Sequence, residues 1–183
     1  EVSAHLMAAT PDDRQLPCIV LGLETQIGLC VVRELGRAGV QVIGIAQEAG
    51  AIGLSSRYLA ASIVVAEPRS ESLVQAIRTI GERYGPCLLL AISETNLSWL
   101  AANSSAFGQV TPVLPQSAAL RIVLDKQATL EAARAVGIST PVSIQPRAGW
   151  QLDELLRQCR LPVVLKWSDP NSVATELERH GLS

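Results

Sequence analysis

The chain has 183 residues, 48% of them hydrophobic and 17% charged, with a formal net charge of −2 at pH 7. That length accommodates one full domain, or one domain and part of another, and the composition supplies a core without any sign of wholesale disorder. The acidic balance and an aromatic content of 3% exclude a protein that holds nucleic acid by bulk positive charge or on stacked aromatic platforms.

The opening stretch, residues 1–16, lacks the charged-then-apolar layout of a signal and reads as a disordered leader or a remnant outside the fold. From Cys18 the chain alternates short apolar runs with amphipathic stretches. "CIVLGL" (Cys18 to Leu23) is a strand buried on both faces. "IGLCVVRELGRAG" is a helix with Leu29, Val32 and Leu35 on one side and Gly39 to stop it. "VQVIGIA" (Val40 to Ala46) is a second strand, and "SIVVAEP" a third, closed by Pro68. "SESLVQAIRTIGERYG" is a helix that Ser70 can cap, striped by Leu73, Ala76, Ile77 and Ile80. "CLLLAI" (Cys87 to Ile92) is a fourth buried strand, and "ETNLSWLAANS" the next helix. "VTPVLP" is a short strand, too rich in proline for the middle of a sheet. Strands spaced by helices predict a doubly wound parallel sheet whose ligand-binding loops share the carboxyl edge.

After about Pro115 the rhythm changes, and a domain boundary is expected there, separating a first domain at 17–115 from a second at 116–183. A short helix begins near Gln116. Within "LRIVLDKQATLEAARAVGISTP" a second helix follows, with Asp125 to cap its start, Gly137 to end it and Pro141 to block continuation. "PVSIQP" reads as a strand, "WQLDELLRQCR" as a helix and "LPVVLKW" (Leu161 to Trp167) as a strand. Too few elements remain in this part to close a core, so the chain reads as cut.

Four cysteines, Cys18, Cys30, Cys87 and Cys159, form no CxxC spacing, and His5 and His180 sit near the termini, so no zinc site is expected. Cys18 and Cys87 lie in apolar runs and read as small buried hydrophobes. No apolar run approaches a membrane span. The expectation is a cytoplasmic globular chain.

Two loops could carry chemistry. "GLETQIG" (Gly22 to Gly28) lies where nucleotide-binding sheets place their glycines, but Glu24 stands where a dinucleotide fingerprint needs glycine, and a carboxylate there would repel a pyrophosphate. The loop is either a turn needing flexible residues or a substrate loop in which Glu24 meets a cationic group such as an amine. "ISETN" (Ile92 to Asn96) takes the matching place after the fourth strand, bringing Ser93, Glu94 and Asn96 to the same edge. Helix capping accounts for these residues by itself and is compatible with ligand contact. Lys126 opens its helix, where a cation faces the positive end of the dipole. It is either an indifferent surface lysine or aimed at an anion. Lys166 ends an apolar run and is open to the same two readings.

The succession "LDK…GISTP…LPVVLK" resembles the ATP-grasp ligases, and "VLGLETQIGLCVVRELGRAGVQVIGI" with "SSRYLAAS" resembles the amino-terminal domain of their carboxylate–amine ligase branch. The likeness runs from Pro17 to about Asn171. It implies a Rossmann-like pre-ATP-grasp domain of α/β class followed by an incomplete α+β ATP-grasp subdomain. It also implies an ATP-dependent ligase that joins a carboxylate to an amine, or to a thiol, through an acyl phosphate. By position, the family's two cations that contact the ATP phosphates fall on Lys126 and Lys166. Gly22, Glu24, Ser93, Glu94 and Asn96 would face substrate. ATP and Mg2+ are implied for the parent enzyme. The family's metal ligands and adenine-gripping hinge lie farther along than this chain extends, so no catalytic or metal-binding residue is assigned within it and it is expected not to turn over alone. The implied partners are small-molecule carboxylates and amines, with a homodimer allowed and neither nucleic acid nor membrane. Two rival readings stand beside this one: an independent Rossmann-type domain binding NAD(P) or a nucleotide, and a non-catalytic interaction module of the same fold.

Overall fold

The computed structural model describes residues 15–146 and 149–166. The chain divides between Leu114 and Pro115 into two units.

The first unit is built on five parallel strands in the order β3-β2-β1-β4-β5. They are β1 (Cys18–Leu21), β2 (Val42–Ala46), β3 (Leu59–Val64), β4 (Cys87–Ala91) and β5 (Val110–Pro112). Three helices cross between them: α1 (Gln26–Arg37), α2 (Glu71–Tyr84) and α3 (Glu94–Asn103). Every residue of β1 and β2 is buried, which is why both segments read as unbroken apolar runs rather than alternating ones.

The alternation of side chains sorts the core into two layers. Ile19, Leu21, Ile43 and Ile45 pack with Leu73, Ile77 and Ile80 of α2 and Leu100 of α3 on one face, while Val20, Val42 and Ala46 pack with Val32 of α1 on the other. Each fully buried aliphatic side chain contributes roughly 1.5–3 kcal/mol of transfer free energy. The helices on opposite faces follow from that sorting, and the α/β, doubly wound expectation holds.

Two strands sit at the margins for different reasons. β5 ends at Pro112; with no N–H to donate, a proline is tolerated at an edge and not in the interior. β3 is the opposite edge and begins at Leu59, three residues before the expected start at Ser62. Its outer residues Ile63 and Val64 are exposed, so hydropathy alone misplaced it.

The second unit holds α4 (Ser117–Leu124), α5 (Lys126–Ala135) and α6 (Leu152–Gln158). Asp125 accepts from the Ala128 N–H at 2.9 Å, satisfying one of the free donors at the start of α5. At the other end Gly137 has φ +79°, and the Ile138 N–H donates to the Ala133 carbonyl at 2.9 Å, the left-handed closure for which glycine is suited. The strand expected at Pro141–Pro146 is not formed, nor is that expected at Leu161–Trp167 over its described residues, 161–166. Residues 141–146 and 161–166 carry no strand, and Val142, Val164 and Leu165 are 95%, 79% and 82% exposed. An apolar run becomes a strand only when a neighbour completes its hydrogen-bond ladder, and these two find none among the described residues. Trp167 and the segment after it lie outside the described residues, as does the expected leader except for Gln15 and Leu16.

Candidate functional site at the carboxyl edge of the sheet

The sheet reverses direction of growth at β1, which has β2 on one side and β4 on the other. In such sheets the loops leaving the carboxyl ends at the reversal diverge and leave a crevice. Leu21 is paired with Ala91, so the β1–α1 and β4–α3 loops leave the sheet side by side. The Ile92 N–H donates to the Leu21 carbonyl at 3.1 Å, and the Gly22 N–H to the Ile45 carbonyl at 3.2 Å.

Glycine is needed at two places here. Gly22 has φ +113°, and a Cβ on it would stand 3.0 Å from the Cβ of Ile92. Gly28 lies in the first turn of α1, where a Cβ would stand 2.2 Å from the Gly22 carbonyl oxygen. The end of β1 and the start of α1 therefore touch backbone to backbone. This supports the turn reading of "GLETQIG" with its reason attached: one glycine turns the chain and the other permits the approach.

Glu24 is held in the structure. Its carboxylate accepts a hydrogen bond from the Gln47 N–H, tying the β1 loop to the residue following β2. A backbone N–H has no signature in sequence, so Gln47 could not have been found from composition or spacing. Thr25 caps α1 by accepting from the Gly28 N–H at 3.1 Å, and Ser93 caps α3 by accepting from the Asn96 N–H at 3.1 Å. Both helix starts thus face the carboxyl edge with their side-chain caps in place. Ser93 and Glu94 are exposed, and Glu94 lies in the first turn of α3, where a carboxylate suits the helix dipole.

Asn96 differs from its neighbours. It is 4% exposed, and its side-chain oxygen has no hydrogen-bond partner among the described residues. Leaving a buried amide oxygen unpaired costs about 1–3 kcal/mol, which sets this atom apart from the capped and exposed groups beside it. The structure therefore gathers Gly22, Glu24, Ser93, Glu94 and Asn96 on one sheet edge.

Lys126 and Lys166 belong to the second unit. Lys126 is the first residue of α5 and is exposed. Lys166 is exposed at the end of an irregular segment rather than of a strand. They are the two lysines of the chain, whose remaining permanent cations are arginines. Among the described residues no group of three or more His, Cys, Asp or Glu side chains could hold a metal ion, and no helix is long and apolar enough to cross a membrane.

At the level of sequence, no family model and no curated protein matches the chain. Solved structures do. The chain is similar to the biotin carboxylase domain of a single-chain bacterial carboxylase, with 17% identity and a TM-score of 0.55 over 89% of this chain and 39% of that one. It is also similar to N5-carboxyaminoimidazole ribonucleotide synthetase from Thermotoga maritima, with 16% identity and a TM-score of 0.52 over 80% of this chain and 37% of that one. The chain thus spans well under half the length of either protein. Identity this low makes the likeness one of fold alone, an α/β architecture that the chain shares with part of each of these two proteins.

Proposed function

We propose that this chain is the amino-terminal part of an ATP-dependent ligase that joins a small carboxylate to an amine. The observation that carries the reading is the extent of the fold likeness. The first unit ends at Leu114, whereas the match to the biotin carboxylase domain covers 89% of the chain. The likeness must therefore run on into the unit that holds both lysines. A free-standing dinucleotide domain gives no reason for that continuation, and Glu24, anchored on Gln47, occupies the place where such a domain presents glycine to a pyrophosphate.

The chemistry such a ligase performs sets what the residues must do. The carboxylate oxygen attacks the γ-phosphorus of ATP, ADP leaves, and the acyl phosphate formed is attacked by the amine with loss of phosphate. Negative charge accumulates on the transferring group, so catalysis rests on cations and on positioning. Lys126 and Lys166 are assigned to the ATP phosphates, as compact charges on long stems. The described residues offer magnesium no ligand set, so the metal's contribution is not assigned to them. In the first unit, Asn96 is assigned to accept a hydrogen bond from the amine-bearing substrate. Glu24, with one carboxylate oxygen engaged by Gln47, is assigned to orient that substrate at the same edge.

The test is kinetic and uses the full-length protein. Lys126→Ala should lower kcat/KM for ATP by about ten- to a hundredfold, the loss of one charge-assisted contact, with no loss of thermal stability. Lys126→Arg should recover part of the loss. Normal ATP kinetics in the alanine variant would return Lys126 to the surface and remove the assignment.

A further inference from the structure

The side of α1 that meets the β2–β3 connection carries a second polar feature that the ligase reading does not use. Arg33 and Arg37 lie one turn apart on α1 and so share a face. The chain returns past them through the short 3₁₀ turn Ile52–Ser55, and Ser56, Arg57 and Tyr58 lead into β3. The turn starts beside the β1 loop, where the Gly53 N–H donates to the Leu23 carbonyl at 2.9 Å, and the chain then runs along α1 to Tyr58, which immediately precedes β3.

Arg33, Arg37, Ser55, Ser56, Arg57 and Tyr58 line a pocket of about 350 Å³. The arrangement is built rather than accidental. A Cβ on Gly36 would stand 2.4 Å from the Tyr58 Cβ and 2.7 Å from its ring, so the missing side chain is what lets Tyr58 lie against α1. The Tyr58 N–H donates to the Ser56 hydroxyl at 3.4 Å, and the Arg57 guanidinium donates to the Tyr58 hydroxyl at 3.1 Å. That same guanidinium lies 5.0 Å from the centre of the Tyr58 ring.

The charge count decides what the pocket wants. Three arginines, which stay protonated at any working pH, line it. Among the described residues Glu34 is the one carboxylate ion-paired with any of them, through Arg37. Like charges lining one pocket repel, weakly where they are exposed as here, and an anion among them turns that repulsion into attraction. The Tyr58 phenol registers the same field: the hydrogen bond from Arg57, then that from Arg37, draws its pKa below the ordinary tyrosine value. Hydroxyls from Ser55 and Tyr58 supply further donors, and guanidinium forks match the geometry of phosphate oxygens.

We propose that this pocket is a binding site for a small phosphate-bearing anion, distinct from the carboxyl-edge site. A volume of about 350 Å³ falls at the lower end of the roughly 300–1,000 Å³ of small-molecule pockets. It suits a phosphate monoester of a few carbons better than a bare ion, with the phosphate held by Arg33 and Arg57.

The experiment is an NMR titration of the 183-residue chain with inorganic phosphate and, separately, with glycerol 3-phosphate, against chloride at matched ionic strength. Saturable shifts confined to the amides around Arg33, Arg37 and Ser55–Tyr58 are expected, with the ester binding more tightly. Equal affinities would assign the site to free phosphate, within the same oxyanion chemistry. Arg57→Leu should weaken binding by about tenfold or more, and Arg33→Leu similarly, so the proposal stays testable should one variant fail to fold. Arg57→Lys should recover part of the affinity. Arg78→Leu, which removes an exposed charge elsewhere on α2, should leave binding unchanged. Shifts that spread over the surface without saturating, or a response equal in Arg57→Leu and Arg78→Leu, would overturn the proposal.

Discussion

Replacing Gly28 with alanine adds one methyl group to the first turn of α1, and two physical effects then oppose each other. On helix propensity alone the change should stabilise by about 0.5–1 kcal/mol, since glycine is a poor helix former. The structure predicts the reverse. The new Cβ would stand 2.2 Å from the Gly22 carbonyl oxygen and 3.1 Å from its carbon, about 1 Å inside any relaxed contact. Neither partner yields cheaply, because Gly22 is fixed by its N–H bond to Ile45 and α1 by Val32 in the core. Overpacking of this kind costs about 1–3 kcal/mol, with rigid backbone as the neighbour placing it in the upper half. Net of propensity, a loss of about 1–2 kcal/mol remains. For a unit of this size each kcal/mol moves Tm by roughly 4–8 °C, so thermal unfolding followed by circular dichroism should show a drop of about 5–15 °C. Gly50→Ala is the control: nothing lies within 4 Å of its added methyl, and a change of a few tenths of a kcal/mol or a slight gain is expected. A Gly28→Ala chain at least as stable as the parent would refute the close approach on which the carboxyl-edge geometry depends.

The remaining predictions concern titration. The Tyr58 phenol, lowered chiefly by Arg57, should ionise below the ordinary tyrosine value by ultraviolet absorbance, with Tyr58→Phe identifying its share, and Arg57→Leu should move the transition upward. Burial, with Cys87 nearby, raises the Cys18 thiol from 9.0 to about 11. A raised pKa means that its stabilising contribution is whole below the unfolded value and is lost as pH climbs through the folded one. Stability should therefore fall across pH 9.0 to about 11, and Cys18→Ala should flatten that slope in denaturant melts across the window. At neutral pH a thiol reagent should label exposed Cys30 and leave buried Cys18 and Cys87 untouched until the chain unfolds.

What the sequence disclosed was governed by what hydropathy and capping report. β1 and β2 read correctly because a strand buried on both faces must be apolar throughout, and α2, α3 and α5 because Ser70, Ser93 and Asp125 cap them. β3 was displaced because its exposed outer residues are as apolar as a core strand. The irregular segments at 141–146 and 161–166 misled for the opposite reason: apolar composition reports a capacity for burial, not a ladder partner. At the site, position in the chain sufficed to bring Gly22, Glu24, Ser93, Glu94 and Asn96 to one edge. The hold of Gln47 on Glu24 and the unpaired oxygen of Asn96 could not be read, since both depend on which backbone atoms arrive beside them. The arginine pocket was invisible for a related cause, its residues being drawn from two separated segments that only the packing of Tyr58 on Gly36 brings together.

The central claim is that Lys126 and Lys166 meet the phosphates of ATP, and it can be read residue by residue. An acyl-phosphate derivative of ATP transfers its acyl group to lysine amines held beside the phosphates, and the two lysines of this chain, Lys126 and Lys166, fall in separate peptides that mass spectrometry tells apart. In the full-length protein with magnesium, mass spectrometry should find both Lys126 and Lys166 acylated, and excess ATP should protect both. Absence of label at both, or labelling that ATP leaves unchanged, would contradict the account.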